Sequence, residues 1–219
     1  MVCPDVVKSL IGEYETDVTS CIYGPGGAGK TLLCILAFVD SVKRGKKVIF
    51  IDTEGGFSVD RVKQISKDYE SLLSNMIFFN PKSFNELTEI LSKLSALGSN
   101  KVGLIIVDTM TNFFRVEIAD AHDKKIVNEE LAEQLLILSD IRKKLGIPII
   151  ITTQVYSDMD EKNKVNPIGG DIIKGRCKTI IEIEKLHGSM RRAKVIKNRY
   201  EDAGKSIVFE IVKEGVKLV

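Results

Sequence analysis

Short apolar runs rich in valine and isoleucine alternate along the chain with longer stretches in which apolar residues recur every three to four positions. The first pattern fits buried strands and the second fits amphipathic helices. Together they predict βαβ units stacked on a mostly parallel sheet. Strands are expected at residues 18–23, 47–52, 76–79, 102–108 and 147–154, and helices at 31–44, 58–74, 83–97 and 126–145. Ser83 with Glu86 makes a capping box, and Gly45, Gly98 and Gly146 stand where three helices should stop. Leu131, Leu135 and Leu138, with Ile141 or Leu145, share one face of the last helix. Residues 157–170 are polar and lack any apolar period, which predicts a loop. Beyond it the period switches to two. Residues 178–186, 191–199 and 206–212 read as antiparallel strands, with a turn at His187-Gly188-Ser189. Without repeats or linkers, the 219 residues are expected to form a single domain.

Composition narrows the class. With 44% apolar and 28% charged residues the chain reads as a soluble globular domain. Its longest apolar runs, at 102–107 and 147–151, fall far short of the roughly 20 residues that span a bilayer. No secretory pattern opens the sequence, and Cys3, Cys21, Cys34 and Cys177 show no CxxC spacing, so a reducing cytoplasm is expected. The formal charge of +2 is too small to announce nucleic-acid binding. Its distribution says more, because 12 basic against 7 acidic residues follow from Asp171 onward and the basic excess is therefore C-terminal.

Candidate chemistry concentrates after the first strand. Gly24-Pro25-Gly26-Gly27-Ala28-Gly29-Lys30-Thr31 is a complete GxxxxGK[ST] phosphate loop, between a predicted strand and a predicted helix. Glycines let the backbone wrap phosphate oxygens, and the helix N-terminus adds positive potential. Lys30 should reach the β- and γ-phosphates of ATP, and Thr31 should ligate Mg²⁺. Asp108 ends an apolar strand, where a carboxylate can hold the same ion. Glu54 lies just past the second strand and can deprotonate water for attack on the γ-phosphate; a solvated loop position is the alternative. Gln154, ending the fifth strand, carries an amide that can sense a γ-phosphate or cap a turn.

These elements, in this order, resemble the ATPase core of the RecA/RadA recombinase family. Asp52-Thr53-Glu54-Gly55-Gly56-Phe57 with Arg61, Asp108-Thr109 before Phe113-Phe114-Arg115, Ile151-Thr152-Thr153-Gln154-Val155 and Pro167-Ile168-Gly169-Gly170 resemble its archaeal and eukaryotic branch. The resemblance implies an α/β P-loop NTPase fold, RecA-like, with strand order 3-2-4-5-1 flanked by helices and followed by a C-terminal antiparallel extension. It implies ATP and Mg²⁺ as cofactors, Lys30, Glu54 and Gln154 in catalysis, and Arg61 near the adenine. Two loops, at 112–125 and 157–170, are implied to face single- or double-stranded DNA. Only 17 residues precede the first strand, so the branch's N-terminal DNA-binding domain and polymerisation motif are not expected here. The second loop contains Asp158, Asp160 and Glu161 against Lys162 and Lys164, which disfavours phosphate binding and strand exchange. The first, with Phe113, Phe114, Arg115, Lys124 and Lys125, combines rings with positive charge, although the two rings could equally pack inside. Arg191 and Arg192 are expected to track a DNA backbone or to form a solvated face. Lys197 and Arg199 share one strand face and resemble cations that reach a neighbouring protomer's ATP in bacterial RecA; a charged sheet edge is the alternative. The functional expectation is a DNA-binding accessory ATPase of recombination and repair, partnering a RadA-type recombinase or forming a homo-oligomer. Alternatives are a nucleotide-gated protein-binding module and a KaiC-like regulatory ATPase, the latter disfavoured by a single Glu54 before Gly55-Gly56.

Overall fold

The computed structural model describes residues 6–96, 101–157 and 165–219. The expected helix stop at Gly98 and the charged segment 158–164 lie outside them.

An unexpected first helix, α1 (Val6–Ile11), buries Val6, Val7 and Leu10. β1 (Thr19–Tyr23), α2 (Lys30–Lys43) and β2 (Lys47–Asp52) then follow close to the expected borders. The single helix expected at 58–74 is two, α3 (Val59–Ile65) and α4 (Tyr69–Ser74). Ser66 between them is extended, with φ −145° and ψ 133°, and its Oγ accepts the Asp68 amide at 3.3 Å. A local side-chain turn thus competes with the helix and wins. β3 (Met76–Phe79), α5 (Phe84–Ser95) and β4 (Val102–Asp108) match expectation, and the Ser83 hydroxyl caps α5 by accepting the Glu86 amide at 3.1 Å.

The stretch after β4 corrects the sequence reading. Residues expected as a DNA-facing loop form α6 (Asn112–Asp120) and open α7 (Lys124–Leu145), which Asp123 caps and Gly146 closes. β5 (Ile149–Thr153) stops one residue before Gln154. β6 (Val155–Ser157) and β7 (Val165–Pro167) pair as an antiparallel stem, and α8 (Gly170–Arg176) returns the chain to the sheet. β8 (Thr179–Lys185), β9 (Met190–Lys197), β10 (Ser206–Val212) and the unexpected β11 (Gly215–Leu218) complete it.

Among the described residues nine strands form one sheet in the order β11-β10-β9-β8-β1-β5-β4-β2-β3. From its β3 edge inward it has the expected 3-2-4-5-1 arrangement. β8 runs parallel to β1 and antiparallel to β9, so the antiparallel extension begins one strand later than the alternation alone implies. Period-two alternation splits the sheet's side chains between two cores. Val48, Phe50, Leu104, Ile106 and Ile150 pack with α1 and α2, whereas Ile49, Ile51, Ile105, Val107 and Ile151 pack with α5, α7 and α8. Among the described residues no helix is long and apolar enough to cross a membrane.

Candidate active site

The parallel strands end at one edge, where Tyr23 of β1 neighbours Thr153 of β5 and Asp52 of β2 neighbours Asp108 of β4. Ligand chemistry in open α/β sheets sits beyond such carboxyl ends. A cleft of about 290 Å³ there gathers Gly26, Gly27, Gly29, Lys30, Thr31, Glu54, Arg61, Asp108 and Gln154. Gly24, Pro25 and Ala28 shape the loop behind it, with the Ala28 amide donating to the Pro25 carbonyl at 3.1 Å. At Gly24 any side chain is excluded, because a Cβ would lie 2.5 Å from the Ile183 carbonyl oxygen of β8.

Lys30 is buried, and its Nζ donates to the carbonyls of Gly24 at 2.8 Å and Pro25 at 3.0 Å. Burial pushes its pKa down, against the opposing pull of Glu54 and Asp108. An ammonium held by two neutral carbonyls is ready to turn toward a stronger anionic acceptor. Asp108 is buried at the end of β4; its carboxylate accepts the Thr152 hydroxyl at 2.5 Å and also bonds Thr31. Burial raises its pKa, the two hydroxyls counter that, and the negative charges of Asp52 and Glu54 raise it further. A divalent cation beside Thr31 and Asp108 would relieve this accumulation of negative charge. The donors are hard oxygens that suit Mg²⁺, which usually keeps several waters and shares phosphate oxygens.

Glu54 owes its position to a residue that motif reading overlooks. Asp52 is buried, and its Oδ1 accepts the amides of Glu54 (3.2 Å), Gly55 (2.8 Å) and Gly56 (3.2 Å), while Oδ2 accepts that of Phe57 (2.9 Å). One carboxylate therefore folds the whole loop that presents Glu54. Behind it runs a ladder of buried threonines. Thr53 exchanges hydrogen bonds with the Thr109 backbone at 2.7 and 3.0 Å, Thr109 meets Thr152 at 2.7 Å, and Thr111 donates to Thr153 at 2.9 Å. The ends of β2, β4 and β5 are thus tied together below the cleft. Above it, Gln154 Nε2 donates to Glu54 Oε1 at 2.6 Å, and Arg115 of α6 donates to Gln154 Oε1 at 3.3 Å.

The remaining expected site residues are exposed or are engaged by partners within the fold. Arg61 lines the cleft, yet its guanidinium donates to Gln64 Oε1 (2.7 Å) and to the carbonyls of Val212 (2.8 Å) and Lys213 (2.9 Å), clasping the β10–β11 hairpin. Phe114 is buried and Phe113 packs against the same core, which decides the question of the two rings in favour of packing. Arg115, Lys124 and Lys125 are exposed on α6 and α7. Arg191 and Arg192 do not act as a pair: Arg191 reaches the Gly27 carbonyl at 3.3 Å, and Arg192 bonds Glu184 at 3.0 Å. Adjacent strand residues point to opposite faces, which separates them. Lys197 Nζ donates to the carbonyls of Lys174 (2.8 Å) and Cys177 (2.9 Å) at the end of α8, and Arg199 is paired with Asp17.

Sheet order, phosphate loop and paired strand-end carboxylates define a RecA-like P-loop fold. The chain belongs to the Rad51 family, whose model matches residues 3–219. It is 38% identical over 216 residues to the DNA repair and recombination protein RadB of Methanococcoides burtonii (strain DSM 6242), covering 98% of this chain and 95% of that one. The protein of the same name from Methanocaldococcus jannaschii is 36% identical over 212 residues, covering 96% and 97%. A solved structure described as the RadB recombinase superposes with a TM-score of 0.82 at 30% identity, covering 98% of this chain and 96% of that one.

Proposed function

We propose that this protein binds ATP with Mg²⁺, hydrolyses it slowly, binds DNA, and serves homologous recombination and repair as an accessory protein rather than an efficient strand-exchange enzyme. The observation that carries this reading is the convergence of Lys30, Thr31, Asp108, Glu54 and Gln154 on one cleft. Lys30 would neutralise the β- and γ-phosphate oxygens, and Thr31 with Asp108 would hold the metal, whose bound charge offsets that developing on the phosphates. Glu54 would take a proton from the attacking water while the bond between the β- and γ-phosphates breaks, releasing ADP and phosphate. The 2.6 Å bond from Gln154 engages one Glu54 oxygen, which keeps the base partly occupied and supports a slow basal rate. Exposed Arg115, Lys124 and Lys125 would contact DNA, Lys125 by exchanging its 3.7 Å ion pair with Glu129 for a phosphate, and Arg115 links that segment to Gln154. The net negative charge within 158–164 supports weak strand exchange. We place the protein in the cytoplasm, with DNA, a RadA-type recombinase or further copies of itself as partners.

The test compares ATP hydrolysis by the parent and Glu54→Gln, with and without single-stranded DNA. Slow parental turnover that DNA accelerates, and nucleotide binding without turnover in Glu54→Gln, are expected. Equal hydrolysis by the two proteins would remove Glu54 from the mechanism, and a parental rate indifferent to DNA would remove the coupling.

A further inference from the structure

The β8–β9 hairpin runs past the phosphate loop and presents two unlike faces. Lys185 and Arg191 are directly opposed in the antiparallel register, so their side chains leave the ladder on the same side. The neighbouring opposed pair, Glu184 and Arg192, leaves on the other side and is closed by an ion pair at 3.0 Å. One face of the hairpin is therefore neutralised, and the other carries two cations. Among the described residues neither Lys185 nor Arg191 has a carboxylate partner.

The uncompensated face lies against the phosphate loop. Gly27 has φ +68°, and a Cβ added there would lie 3.2 Å from Lys185 Nζ, so the ammonium sits against bare backbone. Arg191 Nη2 donates to the Gly27 carbonyl at 3.3 Å, while Nη1 donates to the carbonyls of Gly188 and Met190 at 2.9 and 2.8 Å. Its Nε is buried without any partner. Alongside burial, the charge of Lys185 also lowers the pKa of Lys30, against the larger pull of Glu54 and Asp108, so both ammonium groups lie within reach of one loop. The exposed Lys185 ammonium and the Arg191 Nη2, which is held by a neutral carbonyl, lie together at a phosphate loop and suit one class of ligand, a multiply charged anion.

We propose that Lys185 and Arg191 extend the phosphate loop into an anion site, supplied by the protomer itself, that engages the terminal phosphate of a nucleoside triphosphate. The inference rests on reading the cleft as a triphosphate site. It goes further by assigning the preference for triphosphate over diphosphate to the chain's own hairpin. Gly27 lies three residues before Lys30, which serves the β- and γ-phosphates, so cations at Gly27 flank the end of the phosphate chain rather than the base. The same assignment takes Arg191 away from DNA.

Calorimetric titration of the full chain with AMP-PNP and with ADP, each with Mg²⁺, tests this. Lys185→Gln with Arg191→Gln should weaken AMP-PNP binding by about tenfold or more, the loss of one or two charge-assisted bonds, and leave ADP affinity nearly unchanged. Arg191→Lys should restore part of the loss by returning the charge without the fork. Retained ADP binding reports a folded variant, and Lys185→Gln alone carries the test if replacing Arg191 unfolds the hairpin. Unchanged AMP-PNP affinity, or equal loss for both nucleotides, overturns the proposal. A loss of affinity for single-stranded DNA with AMP-PNP affinity intact overturns it too and returns the pair to a DNA surface. If the parent binds neither nucleotide, the reading of the cleft itself fails, and the hairpin proposal falls with it.

Discussion

Asp52 and Asp108 stand side by side at the ends of β2 and β4, and their surroundings give them opposite work. Asp52 accepts four backbone amides, so its charge is fully used in shaping the Glu54 loop. Asp52→Ala should destabilise the fold by about 2–4 kcal/mol in urea unfolding, because several amides lose their acceptor at once, and should slow hydrolysis although Glu54 remains. Loss of stability with turnover unchanged would show that the loop finds its shape without Asp52. Asp108 has two hydroxyl partners for a buried charge, and its pKa is raised, chiefly by that burial. A carboxyl that binds its proton more tightly in the fold is destabilising when ionised, so the sign at neutral pH is unfavourable without a cation. Asp108→Asn should therefore raise the melting temperature in EDTA while abolishing the Mg²⁺ dependence of nucleotide binding. A lower melting temperature in EDTA would mean that the charge supports the fold. Lys30→Ala should remove most of the roughly 2.7 kcal/mol that ATP contributes at a hundredfold excess over its dissociation constant, read as the shift in a thermal melt.

The elements divide into those whose local sequence settles their form and those settled from afar. β3 and β4 occupy the residues that apolar runs predict, and the phosphate loop lies between strand and helix as its motif requires. α6 was not legible as a helix, because its one fully buried ring, Phe114, is in place only through packing on the core beneath β4 and β5. β11 spans four residues and exists only by pairing with β10. The role of Asp52 was equally hidden: a strand-end aspartate is common, and nothing local says that four amides will turn toward it. Arg61 shows the same limit, since the hairpin carbonyls it clasps come about 150 residues later. The new helix carries its own test. Phe114→Ala should destabilise by about 3–5 kcal/mol in urea unfolding, a core cavity rather than a lost stacking platform. Lys124→Ala with Lys125→Ala should leave stability alone and flatten the log–log salt dependence of DNA binding by up to about 2. An unchanged slope would place DNA elsewhere.

Whether one protomer acts on another turns on Lys197 and Arg199. Lys197 and Arg199 resemble cations that reach a neighbour's phosphates, yet here Lys197 closes the end of α8 and Arg199 pairs with Asp17 and Glu15. Lys197 ends β9 and Arg199 lies two residues beyond it, so the two do not share a strand face as expected; both sit level with the start of β1, away from the chain's own phosphate loop. A head-to-tail contact could use them only by exchanging these internal partners for a neighbour's phosphates. Arg199 is half exposed and could make that exchange readily, whereas Lys197 would uncover two carbonyls. If the contact forms, it supplies positive charge to phosphoryl transfer as an arginine finger does, an effect of about 10³–10⁵ in rate. ATPase activity per protomer should then rise with protein concentration, or with DNA that aligns protomers. Arg199→Ala should remove that rise while sparing ATP binding and stability, since an exposed ion pair contributes only about 0–1 kcal/mol. Lys197→Ala should instead lower stability through the end of α8, so the two variants separate a role between protomers from one within the fold. A rate per protomer that stays flat across a wide concentration range, with and without DNA, would leave both residues as structural partners within the fold.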